Sequence, residues 1–263
     1  MSWAGFKKAV NRAGTSVMMK AGQVERTIDR DFETEERRYR TMESAGSTLQ
    51  REAKGYLDSL RAMTSAQTRI AETIDAFYGE AGTRDGVSRY YRQAVEELDA
   101  ETVKALDGPF RNTVLEPISR FCAYFAEINE AVKKRNHKLL DYDQMRAKVK
   151  RLVEKPSDDT KKLPMAEREA AVAKDIYEQM NEQLLSELPQ LIDLRVPYLD
   201  PSFEALVKIQ LTFCSEAYSR MAQVQQYLEA ETREQYANGQ LDSEVEQTLQ
   251  QMRELSITGM GSQ

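Results

Sequence analysis

The chain has 263 residues, 30% of them charged, with only 12 Gly and 7 Pro, a composition that disfavours turn-rich sheets and favours long helices. No run of about 18 apolar residues occurs, which excludes a bilayer-spanning helix, and the N-terminus lacks the apolar core and cleavage site of a secretory signal. The formal net charge is −6, but it is unevenly spread, and the distribution carries more information than the total.

Residues 1–22 stand apart. They hold Lys7, Lys8, Arg12 and Lys20 and no acidic residue. Trp3, Phe6, Val10, Ala13 and Val17 follow one another by three and four residues, so a helix gathers them on one face, with Lys8, Arg12 and Thr15 opposite. A basic amphipathic helix of this kind is suited to lying in a bilayer interface. Gly5 and Gly14 each weaken it by about 1 kcal/mol in water. The segment is therefore expected to be unfolded in solution and to fold on a membrane, with Trp3, Phe6, Lys7, Lys8, Val10, Arg12 and Val17 as a wedge. Packing on the rest of the protein is the alternative.

The next segment, from about Val24 to Phe77, has the clearest period. Ile28, Phe32, Glu35, Tyr39, Met42, Gly46, Leu49, Ala53, Tyr56, Leu60, Met63, Gln67, Ile70, Ile74 and Phe77 alternate steps of four and three. This is a coiled-coil-like seam. At 1.5 Å per residue, fifty residues make a helix of about 75 Å. A break follows at Gly79, Gly82 and Gly86.

The second segment, from about Gly86 to Lys155, repeats the stripe with Val114, Ile118, Phe121, Phe125, Ile128 and Val132, then Leu139, Tyr142, Val149 and Val153. A turn at Pro156–Thr160 precedes the third, which runs from about Leu163 to Tyr236 and is interrupted by Pro189, Pro197 and Pro201. Internal prolines bend a helix. Because the stripe resumes beyond each one, bent continuous helices are expected; the alternative is that the prolines end helices and split the chain into a compact bundle of shorter ones. Asp242 to Leu255 is a short further helix. The expected organisation is a membrane helix at 1–22, a helical domain at 23–237, and a short helix and tail at 238–263.

Residues 133–162 hold eleven basic residues against five acidic ones. An acidic protein that gathers its positive charge in one place is polarised towards anionic surfaces. Each Lys or Arg near an anionic leaflet contributes about 1 kcal/mol. The candidate membrane-binding residues are Lys133, Lys134, Arg135, Lys138, Lys148, Lys150, Arg151, Lys155, Lys161 and Lys162. Nucleic acid is not the expected partner, since the span has no aromatic stacking platform and no helix-turn-helix or zinc pattern.

Catalysis is not expected. His137 is the one histidine, and it lies inside a basic stretch, so a Ser-His-Asp or Cys-His site would have to be built on it. There is no phosphate-binding loop, dinucleotide turn or Cys/His metal spacing. Cys122 and Cys214 lie in apolar helical contexts and read as buried free thiols of a cytoplasmic protein in a reducing cytosol. No catalytic residue, metal site or cofactor is assigned.

The opening Ser2-Trp3-Ala4-Gly5-Phe6-Lys7-Lys8-Ala9, with Asn11-Arg12-Ala13-Gly14 and Glu35-Glu36-Arg37-Arg38-Tyr39, resembles fungal Rvs-type (reduced viability upon starvation) members of the amphiphysin family. Lys133 through Asp143, ending in Asp141-Tyr142-Asp143, looks like the second helix of amphiphysins and bridging integrators. Leu188-Pro189, Arg195-Val196-Pro197-Tyr198 and Pro201-Ser202-Phe203-Glu204-Ala205-Leu206 look like their kinked third helix. The resemblance implies an all-α fold: an elongated, kinked antiparallel three-helix coiled coil that dimerises into a curved six-helix bundle, the BAR domain. It implies that Lys133, Lys134, Arg135 and Lys138 line a concave lipid-binding side, that Lys161 and Lys162 lie near the tip, and that Trp3, Phe6 and Val10 form the wedge.

Amphiphysins and one fungal paralogue end in an SH3 domain. This chain stops at Gln263 without one and so is similar to the short, SH3-less class. That class implies a homodimer or a heterodimer with an SH3-bearing sister, an indirect link to the actin machinery, and a peripheral place at the plasma membrane and cortical actin patches. The expected function is sensing or inducing membrane curvature in endocytosis and cortical actin organisation. The alternative is a cytoskeletal or polarity scaffold whose basic tip binds an acidic protein.

Overall fold

The computed structural model describes residues 3–21, 24–79, 86–228, 230–255 and 257; within helices, the side chains of 4, 5, 7, 8, 20 and 231–233 fall outside the description. The expected roles of the Lys7 and Lys8 side chains, and the turn at Gly82, thus lie outside the described residues. All regular structure among the described residues is helical: α1 (Trp3–Lys20), α2 (Arg30–Tyr78), α3 (Val87–Glu97), α4 (Lys104–Phe110), α5 (Glu116–Glu154), α6 (Lys162–Gln225), α7 (Ala230–Ala237) and α8 (Leu241–Glu254). The all-α reading holds, and α2, α5 and α6 are the three long helices it expected.

Two π-helical stretches, Leu98–Val103 and Arg111–Leu115, join α3, α4 and α5 without a break. The second lies between Pro109 and Pro117. Neither proline can donate the usual helical hydrogen bond, so the backbone ladder between them widens. Helix α6 passes through Pro189, Pro197 and Pro201 uninterrupted, so the prolines do not split it. It ends at Gln225 rather than near Tyr236, where Gln226 and Tyr227 turn the chain by donating to the carbonyls of Gln223 and Val224.

The chain forms two compact units. The first comprises Met1–Gly55 and Arg111–Leu206. Its core is Phe32, Tyr39 and Met42 of α2, Phe121, Phe125 and Val132 of α5, and Leu184, Leu188 and Ile192 of α6. These residues keep the three-and-four spacing that puts one face of each helix inward. Gly46 lets α2 approach α5 closely, because a Cβ there would stand 3.1 Å from the Phe125 ring. Near the prolines, Tyr198 stacks on Phe121 with ring centroids 5.6 Å apart, and its hydroxyl donates to the Pro117 carbonyl at 3.0 Å.

The second unit comprises Tyr56–Phe110 and Val207–Gln263. Leu57, Leu60, Thr64 and Ala71 are buried along α2, with Ala94, Val95, Leu98, Val103, Leu106 and Phe110 from the following helices and Ile209 and Phe213 from α6. The Thr64 hydroxyl donates to Asp99 at 2.5 Å, so a polar core position is satisfied from within the first π-helical stretch. Arg61 pairs with Asp107, and Arg220 reaches Glu97 and Glu101. Met63, Ile70 and Phe77, expected in the coiled-coil-like seam, are 44%, 54% and 87% exposed, and Cys214, expected to be buried, is exposed on α6.

Candidate functional site

The junction of α1, the linker at 24–29 and the long helices in the first unit is built from a few charged side chains on α5. Asp29 caps α2: the Phe32 N–H donates to its Oδ1 at 3.0 Å. Its other oxygen accepts from Arg135 Nη2 at 2.7 Å and from the Tyr177 hydroxyl at 3.0 Å. Arg135 also donates to Asn181 Oδ1 at 2.7 Å, and its guanidinium lies 3.8 Å from the Phe32 ring centroid.

Arg135 is only 3% exposed. Its assignment to the membrane-binding face is therefore corrected: its charge is spent inside the protein. Burial works to raise the Asp29 carboxyl pKa. The Phe32 N–H, the Tyr177 and Asn181 side chains and the Arg135 charge outweigh it and hold the group below the usual carboxylate range. Tyr177 is pushed up to about 12, chiefly by burial.

The run Asp141-Tyr142-Asp143 ties three different elements to α5. Asp141 accepts a bidentate pair from Arg12 of α1, at 2.8 and 2.7 Å. Tyr142 stacks on Tyr177 of α6. Asp143, fully buried, accepts from the Thr27 backbone N–H at 3.2 Å and its hydroxyl at 2.5 Å. Arg146 closes the linker by donating to the Glu25 carbonyl at 2.8 Å. None of these partners was legible beforehand, because they lie up to 129 residues apart in sequence.

Helix α1 is formed and docked on α5, which corrects the expectation that the segment stays unfolded off the membrane. The docked side is the polar one. Thr15 is 3% exposed, Arg12 holds Asp141, and Met18 meets Arg151 through its sulfur at 3.9 Å. The pairing with Asp141 raises the Arg12 pKa, keeping the guanidinium charged. Arg12 therefore faces the protein, not the wedge side. The other described wedge residues face solvent, with Trp3 81%, Phe6 54%, Val10 53% and Val17 66% exposed. The helix thus holds the protein with its polar face and turns its apolar stripe outward.

The remaining basic candidates stay at the surface. Lys134, Lys150, Arg151, Lys155, Lys161 and Lys162 are exposed and Lys138 is half-buried. Lys133 pairs with Glu130 at 3.1 Å and Lys148 with Glu169 at 2.7 Å. Asp159 and Ser157 shape the turn before α6: the Lys161 N–H donates to Asp159 at 3.0 Å and Lys162 Nζ to Ser157 at 3.2 Å. Among the described residues no group of His, Cys, Asp and Glu is placed to hold a metal ion, and no helix is long and apolar enough to cross a membrane.

Comparison with known proteins gives a consistent result. A model of the BAR domain matches residues 6–230. The chain is 74% identical to Protein hob3 of Schizosaccharomyces pombe over 262 residues, covering 100% of this chain and 99% of that one. It is 57% identical to Regulator of cytoskeleton and endocytosis RVS161 of Candida albicans, over 99% of this chain and 100% of the relative. The solved Amphiphysin BAR domain from Drosophila has the same fold, with a TM-score of 0.60 at 24% identity over 82% of this chain and 97% of its own.

Proposed function

The chain belongs to the BAR domain family, and from that premise we propose that it binds anionic membrane through the outward stripe of α1 and the exposed cations of α5 and the α5–α6 turn. It is a non-enzymatic protein, whose relative named for cytoskeleton and endocytosis supports a role in membrane curvature during endocytosis. The observation that carries the reading is the orientation of α1. Arg12 and Thr15 are engaged with the protein, while Trp3, Phe6, Val10 and Val17 are offered to whatever lies outside. A stripe of that composition gains by burial in an apolar phase, and the bilayer interface supplies one. Lys134, Lys150, Arg151 and Lys155 add a screened electrostatic attraction.

A second copy of the chain covers the exposed seven-residue repeat of Met63, Ile70 and Phe77 on α2 in this reading, because a heptad stripe is stable only against a partner helix. Val207, Leu211 and Tyr218 of α6, also exposed, supply further apolar surface. Dimerisation doubles the number of α1 stripes and basic clusters per particle, which strengthens membrane attachment by effective concentration.

The test is co-sedimentation with phosphatidylserine vesicles and with phosphatidylcholine vesicles over a range of salt concentrations. Binding that needs the anionic lipid, weakens as salt rises and drops in a Lys134→Glu/Lys150→Glu/Lys155→Glu protein supports the proposal. A wild-type protein that ignores anionic vesicles at low salt overturns it and favours a scaffold whose basic surface meets an acidic protein.

A further inference from the structure

Beside the docked α1 lies a groove of about 540 Å³ between α1, α5 and α6, within the roughly 300–1,000 Å³ range of small-molecule sites. Apolar side chains line it: Met145 of α5 and Val172, Ala173 and Ile176 of α6. Val172 is 60% exposed, an apolar side chain open to the groove. Two acidic residues at the groove are already engaged, Asp141 with Arg12 and Glu169 with Lys148, each at 2.7 Å. Lys138 and Arg168 also line it, and among the described residues neither makes an ion pair. The uncommitted charge of the groove is therefore positive.

The order of residues along α6 is itself amphiphilic. Arg168, Val172 and Ile176 follow at four-residue steps and share one helix face. They span about 12 Å, a cation first and then two branched apolar side chains. A guanidinium grips a phosphate with two parallel hydrogen bonds, and the apolar part of the track, about 6 Å from Val172 to Ile176, accepts a short stretch of hydrocarbon chain.

We infer that this groove seats one anionic phospholipid, with its phosphate on Arg168 and one acyl chain laid along Val172, Ala173 and Ile176. The choice of a phospholipid rests on the membrane reading above. What it adds is a defined site for a single lipid, apart from the diffuse attraction of the exposed lysines. A seated lipid would also lie against α1, since Asn11 lines the same groove, and so would couple lipid capture to the position of the wedge helix.

The experiment uses full-length protein and soluble short-chain phosphatidylserines below their micelle concentrations, with binding read by calorimetry. Dihexanoyl phosphatidylserine is expected to bind at least about tenfold tighter than the dibutanoyl form, since each seated methylene is worth about fourfold. Glycerophosphoserine, which has no acyl chain, is expected not to bind measurably. Arg168→Gln and Val172→Asp are surface substitutions and should each weaken dihexanoyl binding at least tenfold, whereas Lys104→Gln, at an exposed position on α4 in the second unit, should leave it within twofold. Ala173→Trp, which fills the groove, should block it.

Affinity that does not depend on chain length, or variants that bind like wild type, would overturn the site. Vesicle co-sedimentation of the same proteins separates this from the wider proposal. Wild-type protein that binds anionic vesicles but not the soluble lipid loses the groove and keeps the membrane reading. Protein that binds neither loses both.

Discussion

Arg135 of α5 and Asp29, the N-cap of α2, form a 2.7 Å ion pair that closes 106 residues of chain, with the guanidinium carbon 3.8 Å over the Phe32 ring centroid. The pair is nearly dry on the arginine side, 4% exposed against 16% for the aspartate. Removing one partner of such a pair leaves the other charge buried alone. Arg135→Ala should therefore cost about 3–5 kcal/mol in urea unfolding, while Lys134→Ala, one residue away and exposed, should stay within about 0.5 kcal/mol. Equal effects at the two positions would contradict the assignment of Arg135 to the core.

The same pair sets a dependence on pH. The Asp29 pKa is lowered by folding. Its contribution is therefore complete above the unfolded carboxylate value of about 3.9 and is lost as pH falls through the lower folded value. The stability difference between wild type and Asp29→Asn should be largest near neutral pH and should shrink once pH drops below about 4. A difference that stays constant, or grows in acid, would show that Asp29 is not held ionised by these partners.

Two glycines inside α2 have opposite surroundings. A Cβ at Gly55 would meet nothing within 4 Å, whereas at Gly46 it would press on Phe125 at 3.1 Å and 3.2 Å. Gly55→Ala should raise stability by about 1 kcal/mol through helix propensity. Gly46→Ala should gain less or lose, because the added methyl overpacks the α2–α5 contact. Thermal unfolding of the two variants side by side measures the contrast, and an equal gain at both positions would contradict the close approach.

The exposed repeat on α2 bears on assembly. Met63→Glu/Ile70→Glu places two charges in a stripe that the proposed dimer buries, without touching Leu57, Leu60 or Ala71 of the unit's own core. Sedimentation velocity should show wild type as a dimer and the variant as a folded monomer. A wild type that is monomeric at all concentrations, or a variant that remains dimeric, would place the dimer contact elsewhere.

Much of the fold was legible in the sequence, and the places where it was not have physical causes. The Ile28-to-Phe77 series has the spacing of one seam, yet it lies in the core only through Phe32, Tyr39, Met42, Ala53 and Leu60. A 3.5-residue repeat drifts around a helix of 3.6 residues per turn by about 20° per heptad. Further along α2 the buried positions become Leu57, Thr64 and Ala71. Thr64 gave no apolar signal because its burial depends on Asp99, a partner 35 residues away.

Arg135 teaches the converse. It stands at the step between Val132 and Leu139 in the apolar stripe of α5, a core signal that its assignment to the membrane-binding face passes over. Its neighbours Lys133 and Lys134 argued for the surface, and only the partners Asp29, Tyr177 and Asn181, all distant in sequence, decide the matter. The apolar stripe of α1 was legible from spacing alone. Its outward orientation was not, because that follows from Arg12 finding Asp141 on another helix.

Trp3 is the one tryptophan of the chain and stands at the exposed end of the α1 stripe, so its fluorescence reports the central claim directly. On titration with phosphatidylserine vesicles its emission should shift to the blue and become shielded from an aqueous quencher, with Phe6→Glu abolishing both changes. Emission that stays at its aqueous position while the protein co-sediments with the vesicles would contradict insertion of α1.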